Sequence, residues 1–145
     1  MLYPKKINIK NKYCPKCFKK LCNNDIKFVK ANLKVRDNWR PTSYFHPYIE
    51  CKDCNVTESL PEASDILHDA CCFSQGILTP NEIKNLRRKL KLTQKALAKL
   101  LGLGTITISR WETRKIFQSK VNDNFLRLLS KDPIRVMQNL NQINC

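Results

Sequence analysis

The chain has 145 residues, which suits one ordinary domain or two small ones but not a large core with extensions. Its formal net charge of +15 favours a polyanionic partner, although a biased Lys- and Asn-rich composition would raise the charge as well. The excess is uneven, since residues 79–145 carry +10 and residues 1–78 carry +5. The sequence contains no run of 18 apolar residues that would predict a membrane span, and no apolar stretch near Met1 that would predict a signal peptide. We therefore expect a cytoplasmic protein.

Of the eight cysteines, four form two Cys-x-x-Cys pairs within the first 60 residues. They are Cys14, Cys17, Cys51 and Cys54. Without an export signal this spacing favours a metal over disulfides, and four thiolates form the tetrahedral shell that Zn²⁺ prefers. We expect one structural zinc ion per chain in a module over residues 14–60, behind a flexible N-terminus at residues 1–13. A redox dithiol or cysteine pairs without a metal are the alternative interpretations.

The segment between the two pairs must return the chain to the metal, so we expect a hairpin there. Apolar and polar residues alternate at residues 26–28 and 33–35, which predicts two half-buried strands. Residues 44–49 are aromatic-rich and interrupted by Pro47, which predicts an edge strand or a loop. Cys22 or His46 is an alternative metal ligand.

A connecting helix and linker are predicted over residues 61–78, with a domain boundary near residues 74–79. Pro61 suits the first helical position, and Gly76 interrupts the chain after the helix. We interpret His68 as solvent-facing and the neighbouring cysteines as packing residues. The predicted buried face of this helix consists of Ile66, Leu67, Ala70 and Phe73.

Helical patterns fill the second half, which we assign to one domain over residues 79–145. Residues 79–82 form a capping-box pattern with proline at the first helical position, and Thr93 suits the cap of a second helix. Further helices are predicted over residues 105–113, 122–129 and 134–140.

Residues 94–112 carry the strongest functional signal. Two short helices that cross steeply need a small residue at their contact, which Ala98 supplies, and a turn that tolerates positive φ, which Gly102 supplies. Ile108 and Trp111 then lock the second helix onto the first. This spacing predicts a DNA-binding helix-turn-helix, and an ordinary helical bundle is the alternative.

The string LTQKALAKLLG…TISRWE resembles the lambda-repressor (Xre) class of helix-turn-helix domains over residues 79–132. With the two cysteine pairs and the strings GILTPNEIKNLRRKLKLTQ and DNFLRLL, residues 14–132 resemble the MqsA (YgiT-type) antitoxin family. The resemblance implies an α+β chain, in which a small N-terminal zinc-binding β module precedes an all-α C-terminal helix-turn-helix domain of the lambda-repressor type.

The resemblance also implies roles for individual residues. A base-reading arginine of the family corresponds to Arg110, whereas Ile106 stands where a related antitoxin has asparagine and can touch only a thymine methyl. Arg87 and Glu112 occupy positions that are ion-paired in related repressors. The implied base-edge residues are Thr105, Ile106, Thr107, Ser109 and Arg110. The implied phosphate contacts are Gln94, Lys95, Arg114, Lys115 and Lys120.

These observations favour a homodimeric repressor that binds a palindromic operator in double-stranded DNA. The resemblance implies the antitoxin of a toxin–antitoxin system, whose zinc module holds a toxin and which autoregulates its operon. A stand-alone phage or mobile-element regulator, whose zinc module binds a different partner, is the alternative. We do not expect an enzyme, because the sequence has no H-E-x-x-H motif, no carboxylate cluster and no Ser/His/Asp order.

Overall fold

The computed structural model describes residues 7–33, 40–136 and 138. The chain divides into two compact units, Met1–Gln75 and Gly76–Cys145. The first combines an antiparallel sheet with one helix and the second is helical, so the predicted α+β class is confirmed. No helix among the described residues is both long enough and apolar enough to cross a membrane.

The first unit is built on a three-stranded antiparallel sheet in the order β1-β2-β3, followed by one helix. The strand predicted at residues 26–28 extends to Asn32, and Ile26 pairs with Ile49 across the hairpin. Of the strand predicted at residues 33–35, Leu33 is not in a strand and the rest lies outside the described residues. The elements are β1 (Ile26–Asn32), β2 (Ser43–Glu50), β3 (Thr57–Ser59) and α1 (Glu62–Gln75).

The prediction of an edge strand or loop around Pro47 is wrong, because β2 is the central strand. The Pro47 carbonyl accepts a hydrogen bond of 3.2 Å from the backbone N–H of Leu60, just beyond the end of β3. In an antiparallel ladder the N–H and C=O of one residue point to the same neighbour. The missing N–H of Pro47 therefore faces the point where β3 has ended, so the ladder loses nothing there.

The core of the first unit joins the sheet to the cysteine pairs. Ile49 and Leu60 are buried with Cys14, Cys51 and Leu21. Ile7 and Ile9 pack against this cluster, and the backbone N–H of Ile9 donates to Asn23 Oδ1 at 2.9 Å. Residues 7–13 are therefore part of the packed unit rather than a flexible N-terminus, while residues 1–6 lie outside the described residues.

Helix α1 belongs to the first unit rather than to a linker. Its predicted apolar face is only partly correct, since Ala70 is buried but Leu67 and Phe73 are 38% and 52% exposed. Small side chains fill the contact instead, because they allow the helix to approach its neighbours closely. His68 is half-buried with Nδ1 at 3.6 Å from Cys72 Sγ, so the solvent-facing interpretation is wrong. The buried positions of α1 are Ala63, Ala70, Cys72 and Ser74.

In the described part of the second unit, four named helices surround one core. The capping box is present, with Thr79 N–H donating to Glu82 Oε2 at 2.7 Å and Glu82 N–H donating to Thr79 Oγ1 at 3.3 Å. Residues 133–136 are helical, and most of the remaining predicted last helix lies outside the described residues. The helices are α2 (Pro80–Lys89), α3 (Gln94–Leu100), α4 (Thr105–Glu112) and α5 (Lys120–Lys131). Their buried residues are Ile83, Leu86, Leu97, Ala98, Ile108, Trp111, Leu126 and Leu129.

A buried carboxylate that hydropathy patterns do not reveal ties the start of this unit to α5. Asp123 is fully buried, and its Oδ1 accepts a hydrogen bond of 2.6 Å from the backbone N–H of Leu78. Arg127 Nε donates to Asp123 Oδ2 at 2.8 Å. Gln118 Nε2 donates to the Leu78 carbonyl at 2.7 Å. Such a carboxylate is stable when buried only because donors on both oxygens replace water.

Candidate metal centre and nucleic-acid interface

The four cysteines of the predicted metal site meet at one point of the first unit, with all Sγ atoms within 4.8 Å of one another. Sγ–Sγ distances are 3.5 Å for Cys14–Cys54, 3.5 Å for Cys17–Cys51 and 3.7 Å for Cys17–Cys54. Sulphur atoms about 2.3 Å from a tetrahedral Zn²⁺ lie about 3.8 Å apart. The cluster could therefore bind a metal ion, and its spacing and donor type are consistent with zinc.

Both cysteine pairs have the same backbone geometry. In the first, the N–H of Phe18 donates to the Cys14 carbonyl at 3.0 Å; in the second, the N–H of Asn55 donates to the Cys51 carbonyl at 2.8 Å. Phe18 and Asn55, each directly after the second cysteine of its pair, have φ of 57° and 54°. These matched turns direct two thiols each toward the shared centre, as the Cys-x-x-Cys spacing predicts.

The surroundings of the sulphur atoms shift the pKa values of Cys14 and Cys17 in opposite directions. Backbone N–H groups of Cys17 and Lys16 lower the pKa of Cys14 to about 6, which favours the thiolate that a metal binds. The Lys19 N–H lowers the pKa of Cys17. Hydrogen bonding with the adjacent thiols, Cys51 above all, together with burial, outweighs this effect and raises the pKa to about 12. Thiolates at these distances repel one another, so a cation bound between them would favour the deprotonation of all four.

Side-chain pairs around the centre connect the two halves of the site. Lys19 Nζ lies 2.7 Å from Asp53 Oδ2, and Lys52 Nζ lies 3.5 Å from Asp25 Oδ1. The alternative ligands are outside the cluster. Cys22 Sγ donates to Asp25 Oδ2 at 3.2 Å, and His46 Nε2 lies 2.9 Å from Ser59 Oγ.

In the second unit, α3 and α4 form the predicted helix-turn-helix geometry. Ala98 is 1% exposed, and its carbonyl accepts a hydrogen bond of 2.8 Å from the N–H of Leu103 in the turn. Gly102 has φ of +65°, a conformation that costs other residues energy. Ile108 and Trp111 are buried in the shared core, so the opposite side of α4 faces away from the core of this unit.

That opposite side of α4 carries several of the predicted base-reading residues. Ile106 is 65% exposed, and Arg110 follows it by four residues, one helical turn later, and is also exposed. Thr105 is exposed, whereas Thr107 and Ser109 are half-buried at the flanks. The helix thus presents one arginine guanidinium and one isoleucine side chain on its exposed side.

Arg87 and Glu112 form a two-pronged ion pair beside this face. Arg87 Nε lies 2.6 Å from Glu112 Oε1, and Arg87 Nη2 donates to Glu112 Oε2 at 2.9 Å. Gln94 Nε2 donates to the same Oε2 at 2.9 Å. Burial raises the pKa of Glu112, but the hydrogen bonds from Arg87 and Gln94 lower it more, so the net pKa is below its ordinary value.

The predicted phosphate contacts differ in availability. The side-chain amide of Gln94 donates to Glu112, so we expect Gln94 to contact a phosphate through its backbone N–H at the start of α3. Lys95 is exposed on the first turn of α3. Arg114 is half-buried with φ of 60° in the turn that ends α4, where Lys115 is exposed. Lys120 instead donates to the Gly76 carbonyl at 2.7 Å.

A helix-turn-helix family model matches residues 83–131, about a third of the chain. No curated protein matches the chain. The match covers the four helices described above and confirms the predicted helix-turn-helix, while the finer resemblance to MqsA-type antitoxins stays a prediction. Together, the helix-turn-helix domain and the four-cysteine cluster support a DNA-binding transcriptional regulator with a metal-binding module.

Proposed function

We propose that the protein is a homodimeric repressor that inserts α4 into the major groove of a palindromic operator and controls its own operon as an antitoxin. The exposed side of α4, with Ile106 and Arg110 in a half of the chain whose formal net charge is +10, is the observation that carries this proposal. Cations on this domain match the phosphate charge of DNA, and a helix of this size fits the groove. The chemistry is binding rather than catalysis.

Base reading falls mainly to Arg110, since a guanidinium can donate two hydrogen bonds to guanine O6 and N7. Ile106 on the same side contributes apolar contact with a thymine methyl. The Arg87–Glu112 pair neutralises a carboxylate that would otherwise repel nearby phosphates. Lys95 and Lys115, exposed at the two ends of the motif, supply contacts that do not depend on sequence.

Replacing Arg110 with alanine should weaken binding to a selected operator by about 1–3 kcal/mol, because alanine cannot donate the two hydrogen bonds to the base. Non-specific binding should weaken less. Lys95→Ala should weaken both and reduce the slope of log K against log salt by about one unit. Fluorescence anisotropy at several salt concentrations measures both effects. Arg40→Ala, an exposed arginine of the first unit, is the charge-matched control, and normal operator binding by Arg110→Ala would place recognition elsewhere.

Dimerisation is assigned to the exposed apolar residues on and after α5. Val121, Leu128 and Ile134 are 77%, 58% and 69% exposed, and Val121 and Leu128 lie seven residues apart, two turns along one side of α5. Leu129, which follows Leu128 on α5, is fully buried and packs in the core instead. Val136 packs against that core, and Met137 lies outside the described residues.

A fragment of residues 76–145 should dimerise and bind a palindromic site without zinc. The second unit has its own core and shares no cysteine of the metal cluster. Two recognition helices are needed because one reads too few bases for selectivity. Sedimentation and gel shifts, with and without chelator, test this. A folded fragment that is monomeric and blind to the operator would assign part of the DNA interface to the first unit.

The antitoxin role rests on the zinc module as the site that holds a toxin. The antitoxin role predicts a small open reading frame next to this gene, and a direct test expresses that reading frame alone and together with this protein. Growth arrest that is relieved by the full chain, but not by residues 76–145, supports the proposal. An adjacent gene without toxicity would make the protein a stand-alone regulator.

A further inference from the structure

A cleft of about 500 Å³ lies within the second unit, between α2 and α5. This volume is within the range of small-ligand sites, roughly 300–1,000 Å³. Leu78 and Leu86 give it apolar surface, and Asn85 and Ser130 add neutral polar groups. Its charged residues are Glu82, Lys89, Arg127 and Lys131.

Lys89 and Lys131 supply the cleft with positive charge that is available to a ligand. Glu82, the acidic residue in the described part of the lining, accepts hydrogen bonds of 2.7 and 2.8 Å from the N–H and Oγ1 of Thr79. Lys89 and Lys131 are exposed and form no ion pair with any described residue. Arg127 is held in place by its contacts with Asp123 and the Gly76 carbonyl. Two available ammonium groups, in one cleft with a guanidinium whose position is fixed by Asp123, are suited to an anion.

The position of the cleft separates it from the DNA-binding side. At 100° per residue along α2, the buried stripe of Ile83 and Leu86 has Arg87 on one flank and Lys89 on the other. Arg87 forms its ion pair with Glu112 of α4, whereas Lys89 lines the cleft. A ligand in the cleft would therefore leave the exposed side of α4 accessible.

We propose that this cleft binds a small organic anion, with its acidic group between Lys89, Arg127 and Lys131 and its apolar part against Leu78 and Leu86. The proposal does not depend on which DNA sequence or protein partner the chain binds. Such a ligand bridges α2 and α5, which gives the helix-turn-helix domain a site for a soluble effector.

Hexyl phosphate is the probe, titrated into the ¹⁵N-labelled full chain, with inorganic phosphate and 1-hexanol testing each half of the ligand. For about eleven heavy atoms we expect a dissociation constant on the order of 1 mM and weaker binding of either half. Amide shifts should saturate and concentrate around residues 85–89 and 127–131. Hexanoate in place of hexyl phosphate distinguishes a carboxylate site from a phosphate site, and both outcomes support the proposal.

The variant Lys89→Gln/Lys131→Gln should bind hexyl phosphate about tenfold more weakly, because neither neutral amide attracts the phosphate as an ammonium group does. Lys30→Gln/Lys99→Gln removes the same charge from exposed positions outside the cleft and should bind normally. Equal weakening by both variants, shifts spread over the whole basic surface, or equally tight binding of 1-hexanol would overturn the proposal. A reduced salt slope of DNA binding in Lys89→Gln/Lys131→Gln would also overturn it, because these lysines would then be phosphate contacts.

Discussion

Replacing Cys51 with serine is expected to unfold the first unit and leave the second folded. Cys51 is 1% exposed and belongs both to the four-sulphur cluster and to the apolar core of that unit. Structural zinc contributes roughly 10–16 kcal/mol in small domains, which matches or exceeds the roughly 5–15 kcal/mol that stabilises a whole domain. A sheet of three short strands cannot replace such a contribution.

The ¹⁵N–¹H spectrum of the full chain measures the effect on each unit separately. Elemental analysis should give about one zinc per chain for the wild type and far less for Cys51→Ser. Cys22→Ser is the matched control, because Cys22 is exposed, lies in the same unit and is not in the cluster. Dispersed first-unit resonances in a metal-free Cys51→Ser protein would show that the sheet and its core suffice.

The metal cluster could be predicted because a Cys-x-x-Cys turn is local chemistry. Each pair sets its own geometry within five residues, through the bonds from Phe18 and Asn55 back to the first cysteine. The position of β2 could not be predicted in this way. Because Pro47 lacks an N–H, it is unfavourable in a central strand only where the neighbouring strand β3 extends beside it. The end of β3 at Ser59 is a property of the assembled sheet, which local sequence does not reveal.

The helix ends and the buried face of α1 also separate what local sequence predicts from what depends on the assembled fold. Gly102 marks the turn after α3 in sequence, but the turns after α2 and α4 contain Lys91 and Arg114, which take positive φ of 54° and 60° without being glycine. Backbone bonds such as Lys115 N–H to the Arg110 carbonyl, 2.9 Å, hold such residues in place. Hydropathy also misassigns α1, because its contact uses small side chains rather than large apolar ones.

Replacing Glu112 with glutamine is expected to cost the second unit about 3 kcal/mol of unfolding free energy. The side chains of Arg87 and Glu112 are 14% and 3% exposed, so removing one charge leaves the other largely buried without compensation. For a unit of this size the melting temperature should fall by more than about 10 °C. An exposed pair would lose under about 1 kcal/mol. Removing both charges, in Arg87→Met/Glu112→Met, should recover much of the loss because no charge is stranded.

The same variant should remove an acid-dependent part of the stability. The folded-state pKa of Glu112 lies below its ordinary value of 4.5, so its ion pair stabilises the fold fully above pH 4.5. That stabilisation is lost as the pH falls from 4.5 through the folded-state pKa, where the carboxylate takes up a proton. Urea unfolding of residues 76–145, followed by the fluorescence of Trp111, the one tryptophan in that fragment, should therefore show the wild type and Glu112→Gln converging in acid. A constant difference across this range would assign the effect to packing rather than to charge.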